Sequence, residues 1–226
     1  LAIGGLSGGE SKDQFWRVVA ECCAVLPPHL PRYVMGVGWA LDLVVCSLLG
    51  ADMFDCVYPT RTARFGSAMV RRGGEMNLTN RRFEVEYRFC ATSSVWEINV
   101  QSDKRPIEVD CECETCKGGY TRAYIHMAIN NETVGCHLIS VHNIHHHLSL
   151  MKRLRKAIEA DERQAFLTDF LVNHFCETRT IPNWVRDAIR HVGLSTDEAE
   201  KALGPVAERA DEQTEPEKKR RRAEEN

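Results

Sequence analysis

Apolar positions in the first part of the chain follow two alternating rhythms. Short apolar runs at residues 1–3, 33–35 and 53–57 read as β-strands, and longer stretches of near-helical period separate them. In the first such stretch, residues 13–26, Phe15, Val18, Val19, Cys22 and Val25 with Leu26 mark one face, and Pro27-Pro28 closes it. The second, residues 41–49, stops at Gly50. Strand, helix, strand, helix, strand at this spacing predicts parallel β/α units, in which ligands collect at the carboxyl ends of the strands. Gly5, Gly36 and Asp55 stand at those ends.

After Pro59 the rhythm breaks. Residues 60–82 are basic and irregular and read as a loop, while residues 83–109 contain β-rich pieces at 83–89 and 95–100 that suit a hairpin or an inserted loop. From residue 124 to about residue 190 the pattern is mainly helical. Leu148, Met151, Leu154 and Ile158 are expected to share one buried face, and Phe166, Phe170 and Leu171 that of the following helix. Ser195 with Glu198 three residues on predicts a capping box. Residues 215–226 are polar and charged throughout and read as a disordered tail.

Composition adds three constraints. At 226 residues and 43% hydrophobic the chain can bury a core, and no apolar run reaches the roughly 18 residues of a membrane-spanning helix. The opening Leu-Ala-Ile-Gly-Gly-Leu lacks Met and the features of a signal peptide, so the chain is expected to be a fragment. Ten Cys without a secretory signal argue for thiols or metal ligands in a reducing, cytoplasmic setting. The formal net charge of −3 arises beyond residue 196, since the remainder carries equal numbers of basic and acidic residues. Any nucleic-acid surface must therefore be a local patch.

The strongest local signal is Cys111-x-Cys113-x-x-Cys116, followed by a histidine-rich stretch with His126, His137, His142 and the run His145-His146-His147. Zinc takes four soft or borderline ligands tetrahedrally, and four protein ligands make a structural site. Spacing alone leaves the histidine open, and the triple-histidine run reads as a polar helix surface. Asp55, in Asp52-Met53-Phe54-Asp55-Cys56, offers a strand-end carboxylate able to act as nucleophile, base or metal ligand. The plainer reading is a cap or a carboxylate paired with Arg61 or Arg64. Cys56 has no activating base beside it in sequence and reads as a buried core thiol. Thr60-Arg61-Thr62-Ala63-Arg64 places two guanidiniums where phosphates or base edges suit them. Lys218-Lys219-Arg220-Arg221-Arg222 has acidic flanks and reads as a nuclear address rather than an RNA-binding arm.

Six motifs occur together and in order: Gly4-Gly5-Leu6-Ser7-Gly8-Gly9-Glu10, Tyr33-Val34-Met35-Gly36-Val37-Gly38, Asp52-Met53-Phe54-Asp55-Cys56-Val57, Pro59-Thr60-Arg61-Thr62-Ala63-Arg64, the Cys111 cluster and Val141-His142-Asn143. The set resembles the tRNA-guanine transglycosylases, in particular the eukaryotic catalytic, queuine-inserting type, over residues 1–192. The resemblance implies the carboxyl-terminal part of a TIM (β/α)₈ barrel with an inserted zinc-binding subdomain and C-terminal helices. Residues 1–59 would be the last β/α units, and 60–125 the tRNA-contact loop and zinc subdomain, with 83–108 a probable insertion. Residues 126–204 would hold the last zinc ligand and the C-terminal helices, and 205–226 the tail. It further implies exchange of the wobble guanine for queuine by double displacement through a covalent aspartyl-ribose intermediate, with Asp55 as nucleophile. Gly5, Leu6 and Met35 match positions that contact the bound base, and Ser7-Gly8 the small-residue loop that admits queuine. Gly36, Val37, Gly38, Trp39, Ala40, Leu41 and Asp42 match a tRNA-binding stretch, as do Thr60 to Arg64. Cys111, Cys113, Cys116 and His142 match the ligands of one structural Zn²⁺. The family's general acid/base has no counterpart in this chain. The partners implied are tRNA, queuine and a noncatalytic paralogue in a heterodimer, with a homodimer as the alternative. A noncatalytic accessory subunit, or an inert fragment, is the competing expectation.

Overall fold

The computed structural model describes residues 1–6, 8–83, 87–90, 95–98 and 103–205, the two short segments 87–90 and 95–98 by backbone only. Ser7, residues 84–86, 91–94 and 99–102 of the expected insertion at 83–108, and the tail with its basic run lie outside the described residues. Three parallel strands form one sheet: β1 (Ala2–Ile3), β2 (Tyr33–Val34) and β3 (Met53–Phe54), in that order. Ala2 pairs with Tyr33 and Tyr33 with Met53, while Ile3 pairs with Val34 and Val34 with Phe54. Helix α1 (Lys12–Val25) connects β1 to β2, and α2 (Ala40–Leu48) connects β2 to β3. The β/α alternation read from the apolar rhythm is thus present.

The basic stretch after Pro59 is not a loop. Residues 60–64 belong to helix α3 (Tyr58–Arg64), and an antiparallel hairpin follows, β4 (Ser67–Val70) with β5 (Gly74–Asn77). Pro59 sits in the first turn of α3, where its fixed φ favours the helix and its missing N–H costs nothing. A second antiparallel pair, β6 (Tyr87–Cys90) and β7 (Val95–Ile98), agrees with the expected hairpin. Helices α4 (Glu114–Lys117), α5 (Arg122–Asn131), α6 (Val134–Glu159), α7 (Arg163–His174), α8 (Asn183–His191) and α9 (Asp197–Leu203) complete the described chain. No helix among the described residues is long and apolar enough to cross a membrane.

Two apolar cores share the long helix α6. One gathers Ile3, Val34, Phe15, Trp16, Val44 and Val45 with Leu167, Leu171, Val185 and Ile189 of the C-terminal helices. The other gathers Ala63, Ala68, Val70, Leu78, Ile107, Ile125 and Ile139 around Cys113 and Cys116. With 26 residues and 1.5 Å of rise each, α6 is about 39 Å long, and its two halves serve different cores. In its second half Leu150, Leu154 and Ala157 are buried. The expected face is therefore corrected: Leu148 and Ile158 are exposed, one or two positions off the stripe that meets α2 and α7. On α7 the fully buried residues are Leu167 and Leu171, with Phe166 and Phe170 packed at their edge.

Capping also departs from expectation. At α9 Thr196 is the N-cap without a side-chain cap bond, and Ser195 Oγ instead accepts from the Asp197 N–H at 3.0 Å. The capping box lies at α1, where Ser11 Oγ accepts from Gln14 N–H at 3.2 Å and Gln14 Oε1 accepts from Ser11 N–H at 3.4 Å.

Candidate active site and metal centre

The register of the sheet brings the first cluster together. One step beyond the paired residues, Gly4, Met35 and Asp55 leave the three strands side by side. A Cβ on Gly4 would lie 3.3 Å from Met35 Sδ, so the bare backbone there lets the thioether rest against it. Met35 is 49% exposed and so is not an ordinary buried strand residue. Gly5 and Gly36 both turn the chain with positive φ, 77° and 75°.

Asp55 is exposed and accepts two hydrogen bonds on Oδ1, from Tyr33 Oη at 2.5 Å and from the Gly36 backbone N–H at 3.1 Å. The Tyr33 hydroxyl foremost, and then the Gly36 N–H, hold its carboxyl below the usual carboxylate range, so Asp55 is ionised at neutral pH. The plainer pairing with Arg61 or Arg64 is not what holds it. Both of these bonds fall on Oδ1, and the carboxylate stands at an open strand end.

Cys56 is half-buried rather than a core thiol. It packs on Gly38, where a Cβ would come within 2.5 Å of Cys56 Cβ and 2.8 Å of its Sγ. Within the stretch matched to RNA binding, Gly36 and Trp39 are exposed, whereas Val37, Gly38 and Asp42 are buried and Ala40 and Leu41 half-buried. Asp42 faces Lys12 Nζ at 2.5 Å, and burial raises its pKa against the pull of that ammonium. Trp39 stacks on Tyr58 with ring centroids 4.9 Å apart, and the Tyr58 hydroxyl donates to Glu75. On α3, Thr60, Arg61 and Arg64 are exposed, Thr62 is half-buried and Ala63 is fully buried. Arg61 and Arg64, three apart, project on one face of the helix.

The metal-type cluster gathers around His142 of α6. Cys111, Cys113 and Cys116 Sγ lie 3.6, 3.5 and 3.5 Å from His142 Nδ1. A tetrahedral ion with bonds of about 2.3 Å to sulfur and 2.0 Å to nitrogen requires an S···N edge of about 3.5 Å, so the four atoms fit one ion. Cys113 also caps α4, its Sγ accepting the Cys116 N–H at 3.3 Å, which places both thiols on the same side of one turn. Burial raises the Cys111 and Cys116 thiols above their ordinary range, so binding an ion there expels protons.

His142 is fully buried, and its Nε2 lies 2.8 Å from the Met69 carbonyl. A carbonyl only accepts, so Nε2 carries the proton and Nδ1 presents its lone pair to the thiols. Burial keeps this imidazole neutral by lowering its pKa. The histidine that spacing left open is therefore His142. His126 instead binds the Leu78 carbonyl through Nδ1, 2.7 Å away, and His137 is exposed. The triple-histidine run is not a polar surface: all three rings are half-buried, and His146 faces Glu108 at 3.5 Å. Glu108, His142 and His146 form a second close group that shares His142 with the first.

Two side chains at these sites had no role from spacing alone, Tyr33 and Asn143. Tyr33 lies two residues before Met35 on a strand, so the period of two points both to one side, a signal present in the sequence. Asn143 follows the metal-type histidine inside a helix, a position where a buried amide leaves no periodic trace.

A family model described as queuine tRNA-ribosyltransferase matches residues 1–175 of the chain. The queuine tRNA-ribosyltransferase catalytic subunit of Caenorhabditis elegans is 54% identical over 210 residues, covering 87% of this chain and 48% of that protein. Its Schizosaccharomyces pombe counterpart is 44% identical over 202 residues, 86% of this chain and 45% of that protein. The queuine tRNA-ribosyltransferase of Thermus thermophilus is 40% identical over 189 residues, 83% of this chain and 44% of that protein. The chain spans about half the length of these curated relatives.

Proposed function

The chain belongs to the queuine tRNA-ribosyltransferase family, and from that premise we propose that it carries the nucleophile of a tRNA base exchange. The observation that carries the reading is Asp55, an ionised, exposed carboxylate held by Tyr33 and Gly36 at the carboxyl edge of a parallel sheet. A carboxylate oxygen of Asp55 attacks C1′ of the wobble guanosine, the C1′–N9 bond breaks, and guanine leaves with a proton from a general acid. The ribose remains joined to Asp55. Queuine then attacks C1′ from the vacated side, loses its own proton and expels the carboxylate. Two displacements split one difficult substitution into two easier ones, as in retaining glycosidases.

Around that atom the other residues have distinct tasks. Tyr33 and Gly36 orient Asp55 and keep it charged. Met35 offers a polarizable face for the flat base, and Gly4 and Gly5 let the backbone approach it closely. Because the carboxylate stands at a strand end, the wobble nucleotide must leave its stack to reach it. Arg61 and Arg64 on α3 are placed to receive phosphates beside that nucleotide. The three strands are read as part of a (β/α)₈ barrel.

Cys111, Cys113, Cys116 and His142 would hold one zinc ion. With four protein ligands it has no open position, and its contribution is to fix the local fold. An exposed apolar stripe at Val141, Ile144 and Leu148 on α6 supports a protein partner, a paralogue in a heterodimer.

The test is Asp55→Asn in the complete protein that contains this chain. The variant is expected to bind tRNA yet give neither base exchange nor a covalent tRNA adduct on denaturing gels. An adduct that persists in the variant refutes the assignment.

A further inference from the structure

Helix α3 has seven residues, too few to persist on its own propensity, so its placement depends on what holds it. Both of its ends are tied to one face of α6. Near its start, Asn143 Nδ2 donates to the Pro59 carbonyl at 2.9 Å; near its end, Cys136 Sγ reaches the Arg64 carbonyl at 3.8 Å. Residues 136 and 143 are seven apart, two helical turns, so α3 lies along α6 in the opposite direction.

Asn143 does more than hold one carbonyl. It is fully buried, and its amide also donates to the Ser67 carbonyl at 3.0 Å and approaches Thr62 Oγ1 at 3.4 Å. Its Oδ1 accepts from the Met69 N–H at 2.8 Å. The Met69 carbonyl in turn accepts from His142. His142 and Asn143 thus satisfy both backbone groups of Met69 on the side of β4 away from β5, as a neighbouring strand would. Burying an amide in a helix packing face is costly unless every donor and acceptor is used, and here they are. Only three residues separate Phe54 of β3 from α3, so the setting of α3 against α6 also fixes it relative to Asp55.

We propose that Asn143 is a positioning residue that sets α3, and with it Arg61 and Arg64, relative to Asp55, so that tRNA engagement depends on Asn143 while metal binding does not. The consequence for tRNA rests on the base-exchange reading above; the consequence for α3 does not.

Asn143→Ala in the complete protein tests both parts. Amide hydrogen exchange of residues 58–70 should quicken while residues 150–157 of α6 stay protected. Zinc should remain at one per chain. The KM for tRNA should rise roughly tenfold or more, with kcat at saturating tRNA changed far less. Loss of zinc, unchanged exchange in residues 58–70, or an unchanged tRNA KM overturns the proposal. If wild type takes up no tRNA, the base-exchange reading fails, and the exchange pattern and zinc content alone decide the positioning role. Should Asn143→Ala not accumulate, Asn143→Asp replaces it, keeping the acceptor for Met69 while setting a carboxyl oxygen against the Pro59 and Ser67 carbonyls in place of the donors, with the same outcomes deciding.

Discussion

Adding one methyl group at Gly38 should cripple the site without touching a catalytic atom. Gly38 is buried between β2 and α2, and its φ is not of the left-handed kind, so space and not conformation demands glycine. An alanine Cβ would lie 2.5 Å from Cys56 Cβ, 2.8 Å from Cys56 Sγ and 2.9 Å from Tyr58 Cβ. Carbon atoms settle about 3.5 Å or more apart, so Gly38→Ala must push the two loops apart by about 1 Å. The Cβ atoms cannot yield by rotating a side chain, because they are fixed to the backbone. Overpacking of this kind costs about 1–3 kcal/mol, to be read from urea unfolding of the complete protein. Cys56 adjoins Asp55 and Tyr58 opens α3, so the displacement is delivered to Asp55 and to the arginine helix together. A misplacement of that size can lower base exchange by about a hundredfold. Cys56→Gly removes the two shortest contacts, so the double variant should recover much of both losses. If Gly38→Ala unfolds at wild-type urea and exchanges bases at the wild-type rate, the close approach of these loops has no functional weight.

Two further outcomes follow from the same geometry. Cys113→Ser removes one of the four candidate metal ligands while keeping a hydroxyl able to cap α4, so metal analysis should fall below one zinc per chain and, with the metal cross-link lost, proteolysis near residues 103–122 should increase; full zinc with wild-type protection contradicts the four-ligand assignment. Tyr33→Phe removes the foremost group that lowers the Asp55 pKa, so that pKa rises toward the ordinary carboxylate value. The proposed exchange uses the ionised carboxylate, so exchange that persists as pH falls in wild type should fail at a higher pH in the variant, and coincident acid limbs in the two profiles would refute the role of Tyr33.

Parts of this architecture are legible in the chain because a single residue pattern decides them. Strand and helix alternation before Pro59 follows from where apolar residues must be buried, and it locates the three strand ends without knowledge of pairing. The Cys111 cluster is legible because short thiol spacings suit one ion. The fourth ligand is not, since its choice depends on which histidine α6 turns toward the thiols. That is settled by Met69, whose carbonyl accepts the hydrogen bond from Nε2–H, and Met69 lies 73 residues away in sequence.

Helix α3 escapes a sequence reading for a related reason. Thr60-Arg61-Thr62-Ala63-Arg64 has little apolar period, because Ala63 alone among them is fully buried and the rest of its anchorage is polar. Thr62 Oγ1 returns to the Tyr58 carbonyl at 2.8 Å, and the Pro59 carbonyl is taken by Asn143. A helix held by buried hydrogen bonds to a distant partner leaves no hydrophobic stripe to read. The same logic explains the misplaced face of α6: the expected positions follow one continuous period, whereas the helix changes cores along its length and buries Ile139, His142 and Asn143 before Leu150 and Leu154. The two consecutive polar residues in its first half, His142 and Asn143, are buried because they complete an edge strand that carries Met69, between the metal-type cluster and α3. Sequence periodicity registers what a helix hides from water; it does not register what a helix hides for the sake of another segment's backbone.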